Sequence, residues 1–138
     1  MGESKDTLDL AHTLTKNLSG ISFNLTIGWL PERNLVFKEG WEQVLQEPEF
    51  REFDYGLRFV KLVNELEQEI KNLEHSGMEI YIGKENPVLK SDDFSMIVSE
   101  CDFPKQEKAV FLILGPKRMA YDKNINLINS VNRLLESL

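Results

Sequence analysis

Three residues near the C-terminal end, Lys117, Arg118 and Tyr121, have side chains well suited to bind a ligand or a partner. The two cations could contact an anionic small molecule, a partner carboxylate, or DNA phosphates in a larger assembly. A simpler role is more frequent at protein surfaces: Arg118 pairs with a nearby acid and holds its loop in place. Tyr121 could likewise begin a helix, with Asp122 capping it or favouring its N-terminal dipole. Both interpretations stay open at this level.

The surrounding sequence places this group between a strand and a helix. The segment 109–114 is short and apolar at every position, so both of its faces are apolar, which predicts a buried central strand. After residue 125, apolar side chains recur at helical spacing. Gly115-Pro116 lies between the two segments and is predicted to serve the backbone turn alone.

Two further candidates, Asn86 and Trp41, lie outside this stretch of the sequence. Asn86 precedes Pro87, which restricts it to extended geometry, so a turn is favoured over a recognition role. Trp41 follows Gly40 on a predicted short helix, and a place in or beside the core is favoured. An exposed Trp41 would instead be the best anchor for a partner, because interfaces favour aromatic anchors.

Residue types that serve catalysis are not grouped in this sequence. His12 and His75 are far apart and have no serine or cysteine motif beside them. Cys101 lies between Glu100 and Asp102, whose charges disfavour a thiolate. The acidic residues do not follow a calcium- or zinc-binding spacing. We therefore predict neither an enzyme nor a bound metal or cofactor.

Composition and charge exclude several classes of protein. A chain of 138 residues matches one domain, predicted here as 1–138, that can bury a core. The net charge of −7, from 23 acidic and 16 basic residues, disfavours direct binding to duplex DNA. The single cysteine excludes an internal disulfide, and no apolar run approaches the roughly 20 residues that span a membrane. The polar, acidic N-terminus is not that of a signal peptide, so we expect a cytoplasmic protein.

Hydrophobic periodicity predicts helices and strands along the whole chain. Residues 1–20 are predicted as a helix that leads into the domain, with its periodic part at 4–18 and a stop at Gly20. Strict alternation predicts a strand over 21–30 with one buried face, paired with residues 35–37 in a hairpin. The other predicted elements are helices at 39–46, 55–74 and the C-terminus, and strands at 78–82, 94–100 and 109–114.

The longest predicted helix, 55–74, carries a regular apolar seam with spacings of four, three, four and three. Its members are Phe59, Val63, Leu66, Ile70 and Leu73. Such a seam could pair two copies in a coiled coil, but two heptads are short for one. Core packing is therefore favoured over self-association through this seam.

The order of these elements, αββααβββα, predicts an α+β fold with a mostly antiparallel sheet, because hairpins dominate. The strands 94–100 and 109–114 should pair as a hairpin through a short polar loop. The helices that flank the sheet are expected on one side or at one end of it.

Several motifs, found in order along residues 35–138, resemble one known family. They are the segments 82–87, 93–98 and 114–121, the C-terminal helix, and the upstream segment 39–50. Together they resemble the C-terminal part of the heat-inducible transcription repressor HrcA family. The resemblance implies a GAF-like domain.

The same resemblance implies a regulatory and dimerisation domain of a heat-shock repressor that negatively regulates chaperone genes. In that family the domain follows a winged helix that binds operator DNA, and the GroEL chaperonin maintains the active repressor. Self-association, GroEL as a partner, and DNA contact only through a winged-helix domain absent from this chain are therefore implied. The alternative is a GAF-like small-molecule binding module, with Lys117, Arg118, Asn86 and Tyr121 lining its pocket.

Three features of the chain depart from the family pattern. There is no room for a winged helix before residue 20, which predicts an excised or truncated regulatory domain. The turn at 31–34 leaves no room for the dimerising segment that the family inserts, which puts the family's dimer mode in question. Lys117 and Ala120 stand where threonine and aspartate are usual, which puts a shared ligand contact in question.

Overall fold

The computed structural model describes residues 2–72, 77–83 and 92–137, with side chains from residue 7 onward. Its helices are α1 Gly2–Ser22, α2 Trp41–Val44, α3 Phe53–Glu69 and α4 Tyr121–Glu136. Its strands are β1 Leu25–Leu30, β2 Leu35–Glu39, β3 Met78–Ile82, β4 Phe94–Asp102 and β5 Lys108–Pro116. Short 3-10 turns lie at Pro31–Arg33, Pro48–Arg51, Ile70–Asn72 and Pro104–Gln106. The predicted order of helices and strands is confirmed.

The five strands form one antiparallel sheet in the order β2-β1-β5-β4-β3. β5 is its central strand, as the apolar run 109–114 predicts, and it forms the predicted hairpin with β4. β2 pairs with β1 in the other predicted hairpin. The α+β prediction with an antiparallel sheet is therefore confirmed.

Helices cover both faces of this sheet, so the prediction of helices on one side or end is wrong. α3 packs on one face, together with Leu112 and Leu114 of β5. α1 and α4 pack on the other face, together with Phe111 and Ile113. Successive side chains of a strand point to opposite faces, so a strand that is apolar throughout needs cover on both to remove its surface from water.

The predicted boundary between the first helix and the first strand is also wrong. α1 continues past Gly20 to Ser22, and β1 begins at Leu25. The amide of Phe23 still donates to the Ser19 carbonyl at 3.0 Å, so helical hydrogen bonding prevails over the alternating pattern. Phe23 then takes a positive φ of 58°, which turns the chain into the sheet.

β1 is buried on both faces along its whole length, although its alternation predicts one buried face. Its small residues Thr26 and Gly28 lie on the face that α1 covers. A Cβ on Gly28 would lie 2.3 Å from Thr15 Oγ1. The alternation of bulky and small residues therefore marks a strand on which a helix packs closely, and not a strand facing water.

The apolar seam predicted for the helix at 55–74 packs in the core, and this confirms the prediction of core packing over a coiled coil. Four residues of the predicted seam are at most 1% exposed: Phe59, Val63 and Leu66 in α3, and Ile70 in the 3-10 turn that follows it. Leu73 lies outside the described residues. α3 has 17 residues and α1 has 21, so the prediction that the longest helix is the one at 55–74 is wrong.

Candidate functional site

The connection between β5 and α4 is a tight turn held by backbone hydrogen bonds. The amide of Lys117 donates to the Asp93 carbonyl, and that of Met119 donates to the Pro116 carbonyl, each at 3.0 Å. The Met119 side chain is buried in the core on the α1 and α4 face of the sheet. Because Met119 anchors the turn from below, Lys117 and Arg118 are left exposed on its outer side.

Arg118 is held by two glutamates that flank Pro48. Its Nε lies 2.6 Å from Glu49 Oε2, and its Nη2 lies 2.7 Å from both Glu49 Oε1 and Glu47 Oε2. Hydrogen bonding within this cluster raises the pKa of Arg118 and lowers the pKa of Glu49. Although the Arg118 side chain is 56% exposed, its charge is matched within the domain. The interpretation in which Arg118 pairs with a nearby acid is confirmed.

Lys117 and Tyr121 are also engaged within the domain. Lys117 Nζ lies 2.9 Å from Asp92 Oδ1. The Tyr121 hydroxyl donates to the Lys117 carbonyl and lies 2.8 Å from Ser95 Oγ in β4. Tyr121 is the first residue of α4, and Asp122 lies in the first turn, as the sequence predicts. These contacts tie the turn to the start of β4.

The start of β4 is held from α3 as well. Arg58 Nε lies 2.9 Å from Asp93 Oδ2, and the Tyr55 hydroxyl donates to the Asp93 carbonyl at 3.1 Å. Burial raises the pKa of Tyr55, so its hydroxyl stays protonated and remains a donor. α3, the 3-10 turn after α2, β4 and α4 thus meet in a set of side chains that we call the junction cluster: Glu47, Glu49, Arg58, Asp92, Asp93, Lys117, Arg118 and Tyr121.

Trp41, a further predicted site residue, belongs to another part of the fold. It is the first residue of α2, and its ring meets the Phe59 ring edge-on at a centroid distance of 5.7 Å. It is partly buried against the core on the α3 face of the sheet, which confirms the position in or beside the core that the sequence favours. It also lines a cavity of about 350 Å3 with Lys16 and Lys38. Asn86 lies outside the described residues, so its roles stay predictions.

Gly115 and Pro116 are both paired in β5, and the Pro116 carbonyl also closes the turn by accepting from the Met119 amide. The prediction that they serve the turn alone is therefore wrong. A Cβ on Gly115 would lie 2.1 Å from Asn24 Oδ1. Asn24 is 4% exposed, and its Nδ2 donates to the Ser22 carbonyl at 3.1 Å. Sequence reasoning missed Asn24; the available signal was an amide on the small and polar side of the alternating segment 21–30.

Asn24 and Arg118 line a second cavity, of about 330 Å3, together with Glu47, Met119 and Lys123. This volume falls within the range of small-molecule sites. Arg118 is already paired there, whereas Lys123 forms no ion pair within the described part of the chain. The cavity could therefore hold a small polar or anionic molecule beside the junction cluster.

The single cysteine and His12 lie away from the junction cluster. Cys101 is 2% exposed, and burial raises the pKa of its thiol to about 11. His12 stacks on Phe37 with ring centroids 5.0 Å apart, whereas His75 lies outside the described residues. Within 2–72, 77–83 and 92–137, no group of three or more His, Cys, Asp or Glu is arranged to hold a metal ion.

The sequence matches proteins of one family over most of its length. A family model described as the HrcA protein C terminal domain covers residues 3–125. The chain belongs to this family. The heat-inducible transcription repressor HrcA of Dehalococcoides mccartyi is 23% identical over 142 residues, which cover 100% of this chain and 39% of that protein. HrcA of Oceanobacillus iheyensis is 34% identical over 96 residues, which cover 67% of this chain and 28% of that protein.

The chain spans 39% of the length of the first of these HrcA relatives. A crystal structure described as that of a hypothetical protein has the same fold, with a TM-score of 0.60 and 16% identity over 74% of this chain and 31% of the other. In the described part of this HrcA-family chain, no helix is both long and apolar enough to cross a membrane.

At the point where the HrcA resemblance implies an inserted segment, the chain has a short turn. Residues Pro31–Arg33 form a 3-10 turn, and β1 pairs directly with β2. Arg33 donates from Nε and Nη2 to the Glu107 carboxylate at 2.6 and 2.9 Å. Glu107 is 8% exposed, so this bidentate pair joins the β1–β2 turn firmly to the β4–β5 loop. The predicted turn at 31–34 is confirmed.

Proposed function

We propose that this chain is the regulatory and dimerisation domain of an HrcA-like heat-shock transcription repressor that negatively regulates chaperone genes. The HrcA family match over residues 3–125 carries the proposal. Its relatives are described as heat-inducible transcription repressors. The domain works in the cytoplasm by binding and assembly, and not as an enzyme. A winged-helix domain outside this chain contacts the operator DNA.

The charges of the chain support a role in protein assembly over direct contact with DNA. The net charge is −7, and the exposed cations Lys117 and Arg118 are paired with Asp92, Glu47 and Glu49. A phosphate that recruited Arg118 would leave two carboxylates without their cation, so little free energy would be gained. DNA binding therefore falls to another domain.

The junction cluster offers an element through which a signal could be received. Surface ion pairs join α3 and the 3-10 turn to the start of β4 and the β5–α4 turn, and each contributes modestly to stability. Tyr121 of α4 adds a hydrogen bond to Ser95 of β4. A domain tied together in this way can populate an assembled and a loosened state, and a partner that prefers one state shifts the balance. GroEL binding favours the assembled state, and unfolded protein that occupies GroEL releases the chaperone genes.

The decisive experiment measures chaperone transcripts in cells whose gene lacks the codons for residues 2–137. We expect high transcript levels at the ordinary growth temperature and little further rise on heating. The matched control is the same strain with the codons restored, which should recover repression. Transcripts that stay low and heat-responsive without these codons would contradict the proposal.

A separate measurement addresses the chaperonin. Immobilised chain should bind purified GroEL at micromolar concentration, and an unfolded competitor protein should displace it. The same chain after heat denaturation is the control, since GroEL binds unfolded chains in general. If the native chain shows no binding, GroEL has no direct part, whereas the transcript experiment still decides the repressor function.

A small-molecule binding module is the second candidate, because a cavity of about 330 Å3 adjoins the junction cluster. Asn24 and Lys123 would contact a polar ligand there. A ligand that binds the folded chain raises its melting temperature by mass action. A thermal-shift panel of nucleotides and metabolites should show such a rise, and Lys123→Gln should reduce it. An unchanged melting temperature across the panel argues against this candidate.

A further inference from the structure

The outer face of α3 carries an apolar stripe that no described element covers. Phe53, Leu57 and Val60 are 76%, 53% and 43% exposed. Their spacings of four and three place them on one line along the helix. Single exposed apolar residues are ordinary, but contiguous apolar surface marks an interaction site. We call these three residues the α3 stripe.

Two opposite charges flank the α3 stripe on one side. Asp54 lies three residues before Leu57, and Lys61 lies four residues after it, within the same helix. Helical geometry, at about 100° per residue, places both on the same edge of the stripe. Both are exposed, and neither forms an ion pair within the described part of the chain.

This arrangement is complementary to itself. If two copies of α3 pack antiparallel about a two-fold axis near Leu57, Asp54 of each copy lies beside Lys61 of the other. Interfaces with two-fold symmetry require such self-complementarity, because each patch meets its own copy. A partner of one fixed charge would match only one of the two flanking residues, so the pattern favours a second copy of this chain.

We propose that two copies of this chain associate through their α3 stripes, packed antiparallel, with Leu57 at the axis and an Asp54–Lys61 pair on each side of it. The inference rests on the proposed function and deepens it, because it names the surface through which two regulatory domains meet. It differs from a coiled coil through the seam of Phe59 and Val63, because that seam is buried against the sheet.

The expected dimer is weak and depends on concentration. From Phe53 to Lys61 the helix rises by about 12 Å. A pair of helices in contact over so short a length buries less than the ~800 Å2 per partner of a standard interface. Dissociation is therefore expected in the micromolar range. Added salt should weaken the dimer further, because the flanking charges are exposed to solvent.

Sedimentation equilibrium of the whole chain at increasing concentration tests the α3 stripe. Leu57→Glu brings two carboxylates together at the axis and should weaken the dimer by about tenfold or more. Leu134→Glu is the matched control, because Leu134 lies on α4 and is 50% exposed; it should leave the dimer unchanged. Melting by circular dichroism checks that both variants fold. Val60→Lys is a second stripe variant should Leu57→Glu melt early.

Exchange of the flanking charges tests the antiparallel arrangement. Asp54→Lys and Lys61→Asp should each weaken the dimer several-fold, because each places like charges beside one another across the interface. The double variant restores opposite charges on both sides of the axis and should recover the wild-type dissociation constant. A merely apolar contact without this geometry would show no such recovery.

Three results would overturn the inference: a wild-type chain that stays monomeric at hundreds of micromolar, equal effects of Leu57→Glu and Leu134→Glu, or no recovery in the double variant. The transcript experiment separates this failure from that of the proposed function. Derepression on deletion together with a monomeric chain upholds the repressor function and rejects the surface. A dimer that Leu57→Glu disrupts, with transcripts unaffected by deletion, upholds the surface and rejects the function.

Discussion

The junction cluster and the α3 stripe differ in whether their side chains already have partners in the domain. Lys117 and Arg118 are the residue types that bind ligands, yet both are paired with carboxylates of the same chain. Phe53 and Leu57 are ordinary apolar residues, yet they are 76% and 53% exposed. A side chain is available to a partner only when the fold leaves it unsatisfied, so residue type alone is the weaker guide.

The largest expected effect is the difference in stability between a substitution on the buried inner face of α3 and one in the α3 stripe on its outer face. Phe59 is 0% exposed and meets Trp41 and Phe50 edge-on, so Phe59→Ala should lower the free energy of unfolding by about 3–5 kcal/mol. Val60→Ala, at the next position, should change it by less than about 0.5 kcal/mol. Urea unfolding followed by circular dichroism measures both. Similar losses of unfolding free energy for the two variants would mean that the Val60 side chain is buried within the domain. The inner and outer faces of α3 would then not differ in burial.

The next effect tests how tightly Gly115, at the end of β5 beside the junction cluster, is packed against Asn24. Gly115→Ala would place a Cβ 2.1 Å from Asn24 Oδ1, so it should lower the free energy of unfolding by about 1–3 kcal/mol. Gly20→Ala is the control, because no described group outside the backbone of its own helix lies within 4 Å of the added Cβ. In a helix that change should stabilise by about 0.5–1 kcal/mol. A neutral Gly115→Ala would show that Asn24 can move aside.

A smaller effect is expected from the hydroxyl of Tyr121. Tyr121→Phe removes its bond to the Lys117 carbonyl and its contact with Ser95, which should lower the free energy of unfolding by about 1 kcal/mol. Tyr81→Phe is the control, since that hydroxyl bonds Glu79 on the edge strand β3. Thermal unfolding compares the two. An equal or larger loss in Tyr81→Phe would mean that the junction is no better ordered than the sheet edge.

The smallest effect is the pH dependence of the Arg118 pair. Arg118 holds the pKa of Glu49 below its ordinary value of 4.5, so the pair stabilises the fold above that pH and the gain is lost as pH falls through the lowered pKa. Arg118→Gln should therefore cost no more than about 1 kcal/mol at neutral pH. Its difference from wild type should shrink below pH 4.5.

Lys123→Gln is the control for this pH series, because Lys123 forms no ion pair among the described residues. Its difference from wild type should not vary with pH. Urea unfolding at a series of pH values measures both variants. An Arg118→Gln difference that is flat from neutral pH to pH 3 would mean that Glu49 is not held by Arg118 in solution.

Much of the fold could be predicted because burial leaves a local pattern. The run 109–114 is apolar on both faces, and it is the central strand. Phe59 and Leu66 repeat at helical spacing, and they lie in the core. The failures occur where one local pattern fits two structures: the alternation from residue 21 fits a strand, but helical hydrogen bonds continue to Ser22.

The candidate site was predicted only where its residues are neighbours in sequence. Lys117, Arg118 and Tyr121 form one junction, as expected from their place between a strand and a helix. The Glu49 partner of Arg118 is 69 residues away, and Asn24, which lies just before the first strand, fills the space beside Gly115. No local spacing encodes such contacts, because they arise only when the sheet brings distant strands together.

The sequence by itself determined the order of helices and strands, the central strand, the buried seam of α3 and the HrcA resemblance, since each depends on residues close along the chain. The tertiary structure alone decided that helices cover both faces and that Arg118 is paired with Glu47 and Glu49. It also decided that Leu57 stays exposed while Tyr55 and Phe59 of the same helix are buried. These outcomes depend on which surfaces meet in space, and packing between distant segments settles them.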